Sequence, residues 1–320
     1  MTPPQPLLRV PSSLLRLGLA VLLAACGDDA SALDTDASTG DAALPDLDAA
    51  TGSDLGADDA GITASERYLD VVFDEVEVTE GIPFGESVPF GEDAPTPLLL
   101  DLFTPDGDDA TGRPVIVWIH GGGFIIGSRT EPGLVQWARD YAQRGYVTAS
   151  ISYRLRSRND FNEDPFGAIT DAVQDAAAAV RYFEENAEAL GVDPDRIAVG
   201  GTSAGATTAL FLSYFASSAG MPGSPPGMSN VRAVIDYWGS LPGPDTDDFI
   251  ESGEAPLMIV HGTEDTTVLF TEAEELAARA EDVGLTYEFL PLEGAGHSAY
   301  PVARERDPEV VAFLYEHVAR

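Results

Sequence analysis

Residues 196–205, Arg-Ile-Ala-Val-Gly-Gly-Thr-Ser-Ala-Gly, decide how this chain folds. The apolar residues near the start of the stretch predict a short buried strand, and residues 204–215 predict a helix. Between the two lies the pattern Gly-x-Ser-x-Gly, whose small residues permit a sharp, closely packed turn. A serine on such a turn can act as a nucleophile, whereas the alternative is an ordinary glycine-rich connection between strand and helix. The strand–turn–helix setting favours Ser203 as a nucleophile.

Short apolar runs elsewhere predict further strands, and apolar residues at helical spacing predict helices. The strands are predicted at 68–78, 98–103, 115–119, 145–151, 196–200, 231–237, 257–260 and 287–290. The helices are predicted at 171–190, 204–215, 271–283 and 308–318. Strands that alternate with helices indicate an α/β fold with a mostly parallel, doubly wound sheet and helices on both faces. The first two strands have no helix between them, so we expect an antiparallel N-terminal edge.

A second glycine-rich loop, His-Gly-Gly-Gly-Phe at 120–124, follows the strand predicted at 115–119. Because glycines carry no side chains, the backbone N–H groups of this loop can point at a substrate oxygen and form an oxyanion hole. A phosphate-binding loop of the Gly-x-x-x-x-Gly-Lys type is excluded, since the chain contains no lysine.

These two motifs resemble those of the carboxylesterase and lipase families of α/β-hydrolases. The similar residues are Trp-Ile-His-Gly-Gly-Gly-Phe-x-x-Gly-Ser at 118–128 and Gly-x-Ser-x-Gly at 201–205. The families concerned are the hormone-sensitive-lipase-like and type-B carboxylesterases and the small bacterial feruloyl and acetylxylan esterases. The resemblance implies the α/β-hydrolase fold and hydrolysis of carboxylic esters by a serine, with no cofactor and no metal. It also implies that the oxyanion hole is formed by the backbone N–H groups of Gly122, Gly123 and Ala204.

A serine nucleophile needs a general base and an acid that orients the base, and in α/β-hydrolases the chain order is serine, acid, histidine. Of the four histidines, only His297 follows the nucleophile with an acid loop before it. That loop, His-Gly-Thr-Glu-Asp at 261–265, resembles the family's His-Gly-x-x-Asp pattern. The predicted catalytic triad is therefore Ser203, Asp265 and His297.

Several alternatives stay open. Asp265 could be a helix-capping or surface residue, in which case Glu264 beside it or Asp236 after an earlier strand would supply the acid. The same triad could serve an amidase, an arylformamidase or an exopeptidase instead of an esterase. A binding module without catalysis is a third interpretation, against which the intact set of serine, acid and histidine argues.

The chain is strongly acidic, with 54 acidic against 17 basic residues and a formal net charge of −37. A surface of this charge repels nucleic acid and anionic lipid headgroups, and no basic stripe interrupts it. The sequence therefore excludes nucleic acid as a partner. The expected partner is a small-molecule or polysaccharide-linked ester substrate.

The N-terminal residues predict export and lipid anchoring. Residues 1–25 combine two arginines with an apolar run that ends Leu-Ala-Ala before Cys26, which resembles the signal peptide and lipobox of a bacterial lipoprotein. The expected lipid attachment site is Cys26, and two or three acyl chains there would anchor the protein to a membrane. A plain signal peptide or an inner-membrane anchor is the alternative. Gly27 after the cysteine favours the outer membrane, so the expected location is the bacterial cell envelope.

The remaining residues divide into a tether and a catalytic domain. Residues 26–64 are predicted to be an acidic disordered tether, since ten aspartates and no basic residue lie between 27 and 62. The α/β-hydrolase catalytic domain is expected to span 65–320. Two inserts, 217–230 and 239–255, are short and rich in proline and glycine, so we expect only a minimal cap over the site. An open site favours small acyl groups or esters of bulky alcohols.

Overall fold

The computed structural model describes residues 67–215, 231–242 and 250–320. The predicted signal peptide, Cys26 and the whole of the predicted tether lie outside these residues. So does much of the two inserts from which a minimal cap is predicted, and all of these stay predictions. Across the three described ranges, no helix combines the length and the apolar composition needed to cross a membrane.

Eight strands form one sheet in the described domain. They are β1 (Val76–Ser87), β2 (Thr96–Pro105), β3 (Arg113–Ile119), β4 (Val147–Ile151), β5 (Val192–Thr202), β6 (Val231–Tyr237), β7 (Leu257–Gly262) and β8 (Tyr287–Leu292). Their order across the sheet is β1-β2-β4-β3-β5-β6-β7-β8. The pairs β1·β2 and β2·β4 are antiparallel, and the other neighbours are parallel. The predicted parallel sheet with an antiparallel N-terminal edge is confirmed.

Helices cover both faces of this sheet. They are α1 (Pro132–Ala142), α2 (Arg158–Glu163), α3 (Pro165–Glu185), α4 (Ala187–Leu190), α5 (Ala204–Leu210), α6 (Phe270–Val283), α7 (Tyr300–Ala303) and α8 (Asp307–Leu314). A 3₁₀ turn spans Arg304–Arg306, and π-helical turns span Phe211–Phe215 and Tyr315–Ala319. Helices α1 and α8 contribute to one apolar layer, whereas α3, α5 and α6 contribute to the other. The predicted doubly wound arrangement is therefore confirmed.

The central strands are buried on both faces, as their continuous apolar runs predict. Every residue of β3 and of β7 is buried. Successive residues of β3 alternate between the two layers, with Val117 in one and Trp118 in the other. Because the parallel strands share one direction, the loops that follow β3, β5, β7 and β8 emerge at the same edge of the sheet, where α/β proteins bind their ligands.

The prediction of a first strand at 68–78 is wrong, because β1 begins only near the end of that range. The backbone N–H of Phe73 donates to the carbonyl of Gln143 at 3.0 Å, so this segment is bound beside the end of α1 and not to the sheet. The strand itself continues through Gly81 and Pro83. An edge strand tolerates such residues, but they interrupt the alternation by which a strand is predicted.

The helices also differ from the prediction. Helix α1 has no predicted counterpart, although its buried residues Leu134, Trp137 and Tyr141 recur at helical spacing. Helix α3 begins at Pro165 and not at residue 171, because the Asp164 side chain caps it by accepting from the Gly167 N–H at 2.9 Å. The predicted helices at 204–215 and 308–318 are present, but each finishes in a π-helical turn.

Candidate active site

Ser203 occupies a sharp turn between β5, which ends at Thr202, and α5, which begins at Ala204. Its φ of 52° is in the left-handed region, which is strained for a residue with a side chain. Close backbone packing enforces the turn, because a Cβ added to Gly205 would lie 2.0 Å from the carbonyl oxygen of Ile119. The backbone therefore holds the Ser203 side chain at the carboxyl edge of the sheet.

Two loops bring the predicted base and acid to this serine. Ser203 Oγ lies 3.0 Å from Nε2 of His297, which follows β8. Nδ1 of the same ring lies 2.7 Å from Oδ2 of Asp265, which follows β7. An ionised carboxylate can only accept a hydrogen bond, so Nδ1 carries the ring proton and Nε2 is left to accept from the Ser203 hydroxyl. The structure thus brings all three residues of the predicted triad together.

The environment of Asp265 keeps its carboxylate ionised. Burial raises its pKa, but hydrogen bonds from His261 and His297 outweigh burial and hold the pKa of Asp265 well below its ordinary value. The backbone N–H groups of Thr267 and Val268 also donate to Oδ1, at 2.8 and 3.1 Å. Such a carboxylate is a permanent negative charge beside the imidazole at neutral pH.

The two alternative acids do not contact His297. Glu264 has an exposed side chain. Asp236 is fully buried, and its Oδ1 accepts from the backbone N–H of Gly239 at 2.7 Å. Burial raises the pKa of Asp236 to about 6. Among the three candidates, Asp265 alone is hydrogen-bonded to His297.

A contact of the acid that the sequence analysis does not identify is His261, at the end of β7. Its Nε2 lies 2.9 Å from the carbonyl of Val268 and 3.3 Å from Oδ2 of Asp265. A carbonyl can only accept, so Nε2 carries a proton and is a donor towards both oxygens. The acid therefore lies between two histidines, His261 on its buried side and His297 on the side of the serine.

The glycine loop after β3 lies beside Ser203 and has an unusual backbone. The φ angles of Gly122, Gly123 and Phe124 are 107°, 62° and 64°, and a Cβ on Gly122 would lie only 2.0 Å from the carbonyl oxygen of Ile126. Within the described residues, the N–H groups of Gly122 and Gly123 have no backbone acceptor. The N–H of Ala204, in the first turn of α5, lacks an intrahelical acceptor as well. Three N–H groups are thus available near Ser203.

His120 and Tyr153 pack together and hydrogen-bond to the backbone of this loop. The two rings stack with centroids 4.3 Å apart, and the Tyr153 hydroxyl donates to the His120 carbonyl at 3.0 Å. Burial lowers the pKa of His120 to about 4, so the ring is neutral at pH 7. Its Nδ1 lies 2.7 Å from the carbonyl of Gly121. His120 therefore holds the loop in place and does not reach the nucleophile.

These elements surround a cavity of about 330 Å³. The lining residues are Gly121, Gly122, Gly123, Ile126, Gly127, Glu131, Thr202, Ser203, Thr267, Val268, His297, Ser298 and Tyr300. No sequence pattern identifies Glu131 or Tyr300, whose contact joins positions 169 residues apart. In the part of the chain that the structure describes, no cluster of His, Cys, Asp and Glu side chains could hold a metal ion.

Two family models match adjoining parts of the chain. The BD-FAE model matches residues 100–241, which include the glycine loop and Ser203. The prolyl oligopeptidase family model matches residues 237–320, which include Asp265 and His297.

Curated proteins with similar sequences include several esterases. The chain is 38% identical to gut esterase 1 of Caenorhabditis elegans over 117 residues, 35% of this chain and 20% of that protein. It is 36% identical to the para-nitrobenzyl esterase of Bacillus subtilis over 116 residues, 34% of this chain and 22% of that protein. It is 26% identical to a probable isoprenylcysteine alpha-carbonyl methylesterase of Oryza sativa subsp. japonica over 248 residues, 62% of this chain and 55% of that protein. The chain thus spans from a fifth to about half the length of these relatives.

Solved structures of Thermogutta terrifontis esterase 2 share the architecture. The form phosphorylated by paraoxon superposes with a TM-score of 0.61 at 26% identity, over 75% of this chain and 94% of that chain. The native form superposes with a TM-score of 0.61 at 24% identity, over 78% of this chain and 95% of that chain. With the strand order described above, this likeness confirms the α/β-hydrolase fold predicted from the sequence.

Proposed function

We propose that this chain, which has the α/β-hydrolase fold and resembles carboxylesterases, hydrolyses carboxylic esters with Ser203, His297 and Asp265 as its catalytic triad. The observation that carries the proposal is the continuous line of contacts from Ser203 Oγ to His297, 3.0 Å, and from His297 to Asp265, 2.7 Å. This line ends in the cavity beside the glycine loop. Nucleophile, base and orienting acid are the parts that acyl transfer to a serine requires.

The reaction follows from these positions. Nε2 of His297 accepts the Ser203 proton as Oγ attacks the ester carbonyl carbon, and the carbonyl oxygen becomes an oxyanion. Asp265 stabilises the resulting imidazolium, which then gives its proton to the leaving alcohol as the C–O bond breaks. Water attacks the acyl-enzyme by the same route, which releases the acid and restores Ser203.

The oxyanion would be held by the N–H groups of Gly122, Gly123 and Ala204. All three come from backbone that the packing already fixes, so little reorganisation accompanies the reaction. The loss of one such donor typically costs about 2.7–4 kcal/mol of transition-state stabilisation.

The direct test is labelling of the purified protein with a fluorophosphonate, together with hydrolysis of para-nitrophenyl acetate. We expect wild-type protein to be labelled and active, and Ser203→Ala to lose both properties while it stays folded. Ser128→Ala is the matched control, because that hydroxyl contacts only Thr130 near the loop, and it should behave like the wild type. Absence of labelling in the wild type, or labelling that survives Ser203→Ala, would overturn the proposal.

A second candidate is an amidase or peptidase that uses the same triad. It is favoured by the match of residues 237–320 to the prolyl oligopeptidase family. Para-nitrophenyl esters and aminoacyl para-nitroanilides separate the two functions. We expect a much larger kcat/KM for the esters, and the reverse order would replace the esterase proposal with a peptidase.

A small acyl group is part of the proposal. The two inserts at 217–230 and 239–255 are short and rich in proline and glycine, and a weakly covered cavity of about 330 Å³ favours small acyl groups or esters of bulky alcohols. We expect kcat/KM to fall from acetate and butyrate esters to dodecanoate esters. A rise along the series would contradict this assignment.

Lipid attachment at Cys26 in the bacterial cell envelope completes the proposal, supported by the lipobox-like residues before it. We expect labelled palmitate to be incorporated into the full chain and the protein to fractionate with the outer membrane. Cys26→Ser should prevent both. Incorporation that survives this substitution would show that Cys26 is not the acceptor.

A further inference from the structure

The wall of the cavity carries one carboxylate that the proposed reaction does not use, that of Glu131. Among the described residues that line the cavity, Glu131 is the only acidic one. It precedes α1, and its side chain makes no capping hydrogen bond to that helix. Its charge therefore faces the space in which a substrate would bind.

Tyr300 holds Glu131 close to the nucleophile. The Tyr300 hydroxyl donates to Oε1 of Glu131 and lies 3.3 Å from Oγ1 of Thr202, the residue before Ser203. Burial and the neighbouring Glu131 carboxylate raise the pKa of Tyr300, so its hydroxyl keeps the proton that it donates. One tyrosine side chain thus separates the carboxylate from the residue next to the nucleophile.

The position of Tyr300 is itself tightly constrained. Its ring centroid lies 5.2 Å from that of Trp137 and 5.2 Å from that of Trp238. On the helix side, Gly133 leaves room for the ring, because a Cβ there would lie 2.4 Å from a Tyr300 ring carbon. We refer to Tyr300 and the two tryptophans as the aromatic support. It fixes the place of the Glu131 carboxylate.

The Glu131 carboxylate has no cationic partner in the described part of the chain. Over the described residues, no arginine or histidine forms an ion pair with Glu131. Its second oxygen, Oε2, is not among the fully buried polar atoms and accepts no hydrogen bond from described residues. The partial charge at the start of α1 offsets only part of a half-buried negative charge. An acceptor site is therefore left for a molecule bound in the cavity.

We propose that Glu131 is a specificity-determining residue, which favours esters bearing a cationic ammonium group and disfavours esters bearing a carboxylate. The inference deepens the proposed ester hydrolysis and rests on it. A half-buried charge in the wall of the cavity acts more strongly than surface charges, which water and salt screen within about 8 Å. We expect the Glu131 charge to raise kcat/KM for the cationic ester about tenfold relative to its neutral isostere, and to lower it about tenfold for the anionic one.

Three phenyl acetates of similar size test this, with trimethylammonio, tert-butyl or carboxylate groups at the para position. The trimethylammonio and tert-butyl groups have nearly the same shape but change the reactivity of the leaving phenol differently, so the change in their kcat/KM ratio between wild type and variant reports the charge of Glu131. Glu131→Gln keeps the size of the side chain and removes the charge, so its ratio should be about tenfold below that of the wild type. Glu281→Gln is the matched control, because Glu281 is exposed on α6 and lies outside the cavity. It removes the same charge from the same −37 chain and should keep the wild-type ratio.

The outcomes separate the two proposals. If the wild type hydrolyses all three esters and Glu131→Gln keeps the wild-type ratio, the role of Glu131 is wrong and ester hydrolysis stands. If the wild type hydrolyses none of the esters and resists fluorophosphonate, the proposed function itself fails. Tyr300→Phe retains the charge but removes the hydrogen bond that holds Glu131 in place, so its ratio should lie between those of the wild type and Glu131→Gln, and an unchanged ratio would contradict the role of Tyr300 in placing the carboxylate. A measurement without any variant is competitive inhibition of the wild type, which should be stronger for phenyltrimethylammonium than for benzoate.

Discussion

The nucleophile turn at 200–205 and the acid–base loops at 262–268 and 293–298 meet at one cavity, but different forces shape them. In the turn, backbone atoms pack so closely that a Cβ on Gly205 would overlap the carbonyl of Ile119 at 2.0 Å. In the loops, a Cβ on Gly294 would meet nothing within 4 Å, and close backbone packing is confined to Gly262 at the end of β7, where a Cβ would lie 2.3 Å from the carbonyl oxygen of Ala295. In these loops, hydrogen bonds to Asp265 hold the structure together.

The difference teaches which changes each region can accept. The turn has no space for a side chain at Gly205. One added methyl group should therefore disrupt it, although every hydrogen-bonding group of the turn would still be present. The loops depend on charge and hydrogen bonding, so an isosteric change should keep the fold and impair the chemistry. The following changes test that contrast.

The largest effect is expected from Gly205→Ala. Its methyl group has no space, so we expect destabilisation beyond about 4 kcal/mol, which marks a severe substitution, and little folded protein. Urea unfolding followed by circular dichroism measures it. The matched control is Gly294→Ala, whose φ of 70° is strained but unobstructed, with an expected cost of about 1–2 kcal/mol. Equal losses of unfolding free energy in the two variants would show that the turn and the loops do not differ in steric constraint.

Asp265→Asn should leave the fold intact and lower kcat by about 10⁴-fold, since an amide no longer fixes the imidazole tautomer or stabilises the imidazolium. Turnover of para-nitrophenyl acetate and urea unfolding of the same sample separate the two effects. Glu264→Gln, which changes the exposed neighbour, should keep full activity. A large loss of activity in Glu264→Gln would indicate that Glu264, and not Asp265, is the acid of the triad.

Asp236 should make stability depend on pH. Burial raises its folded-state pKa to about 6, above the ordinary 3.8, so between these values the folded chain holds a proton that the unfolded chain has lost. Stability from this group is present below about pH 4 and falls by about 3 kcal/mol as the pH rises through 6. Asp236→Asn should lose that decline. Urea midpoints of wild type and variant at pH 4 and 7.5 measure the difference, and parallel declines in both would contradict it.

His261→Phe should have the smallest effect, about a tenfold loss of kcat with KM little changed. A hydrogen bond to a charged group contributes about 1.5–3 kcal/mol, and the 3.3 Å separation from Asp265 places this one near the lower limit. His261→Gln can keep a donor near the Nε2 position and should recover most of the activity. If both variants are impaired to the same degree, packing and not the hydrogen bond explains the role of His261.

Local patterns predict the centre of this molecule well. Continuous apolar runs such as 115–119 predict the buried strands. Small residues at fixed spacing predict the nucleophile turn, because larger side chains would not fit there. The fold class and the parallel sheet with its antiparallel edge follow from these runs. The chain order of serine, acid and histidine identifies three residues that the structure brings within hydrogen-bonding distance.

The features that the sequence does not predict depend on contacts between distant parts of the chain. Strand β1 contains Gly81 and Pro83, and only its pairing with β2 makes it a strand. His261 belongs to the acid loop in sequence, but its role as a donor to Asp265 depends on how that loop folds back. Glu131 and Tyr300 lie 169 residues apart, and no spacing rule relates them.

The aromatic support beside Glu131 also allows events in the cavity to be followed by tryptophan fluorescence. All three tryptophans of the chain, Trp118, Trp137 and Trp238, are buried and in ring contact with one another or with Tyr237. Trp238 also lies 6.4 Å from the ring of His297. Because no tryptophan lies elsewhere in the sequence, the tryptophan fluorescence of the protein comes from this buried aromatic cluster beside the cavity. We expect substrate binding, acylation of Ser203 and protonation of His297 to change that fluorescence in the unlabelled protein.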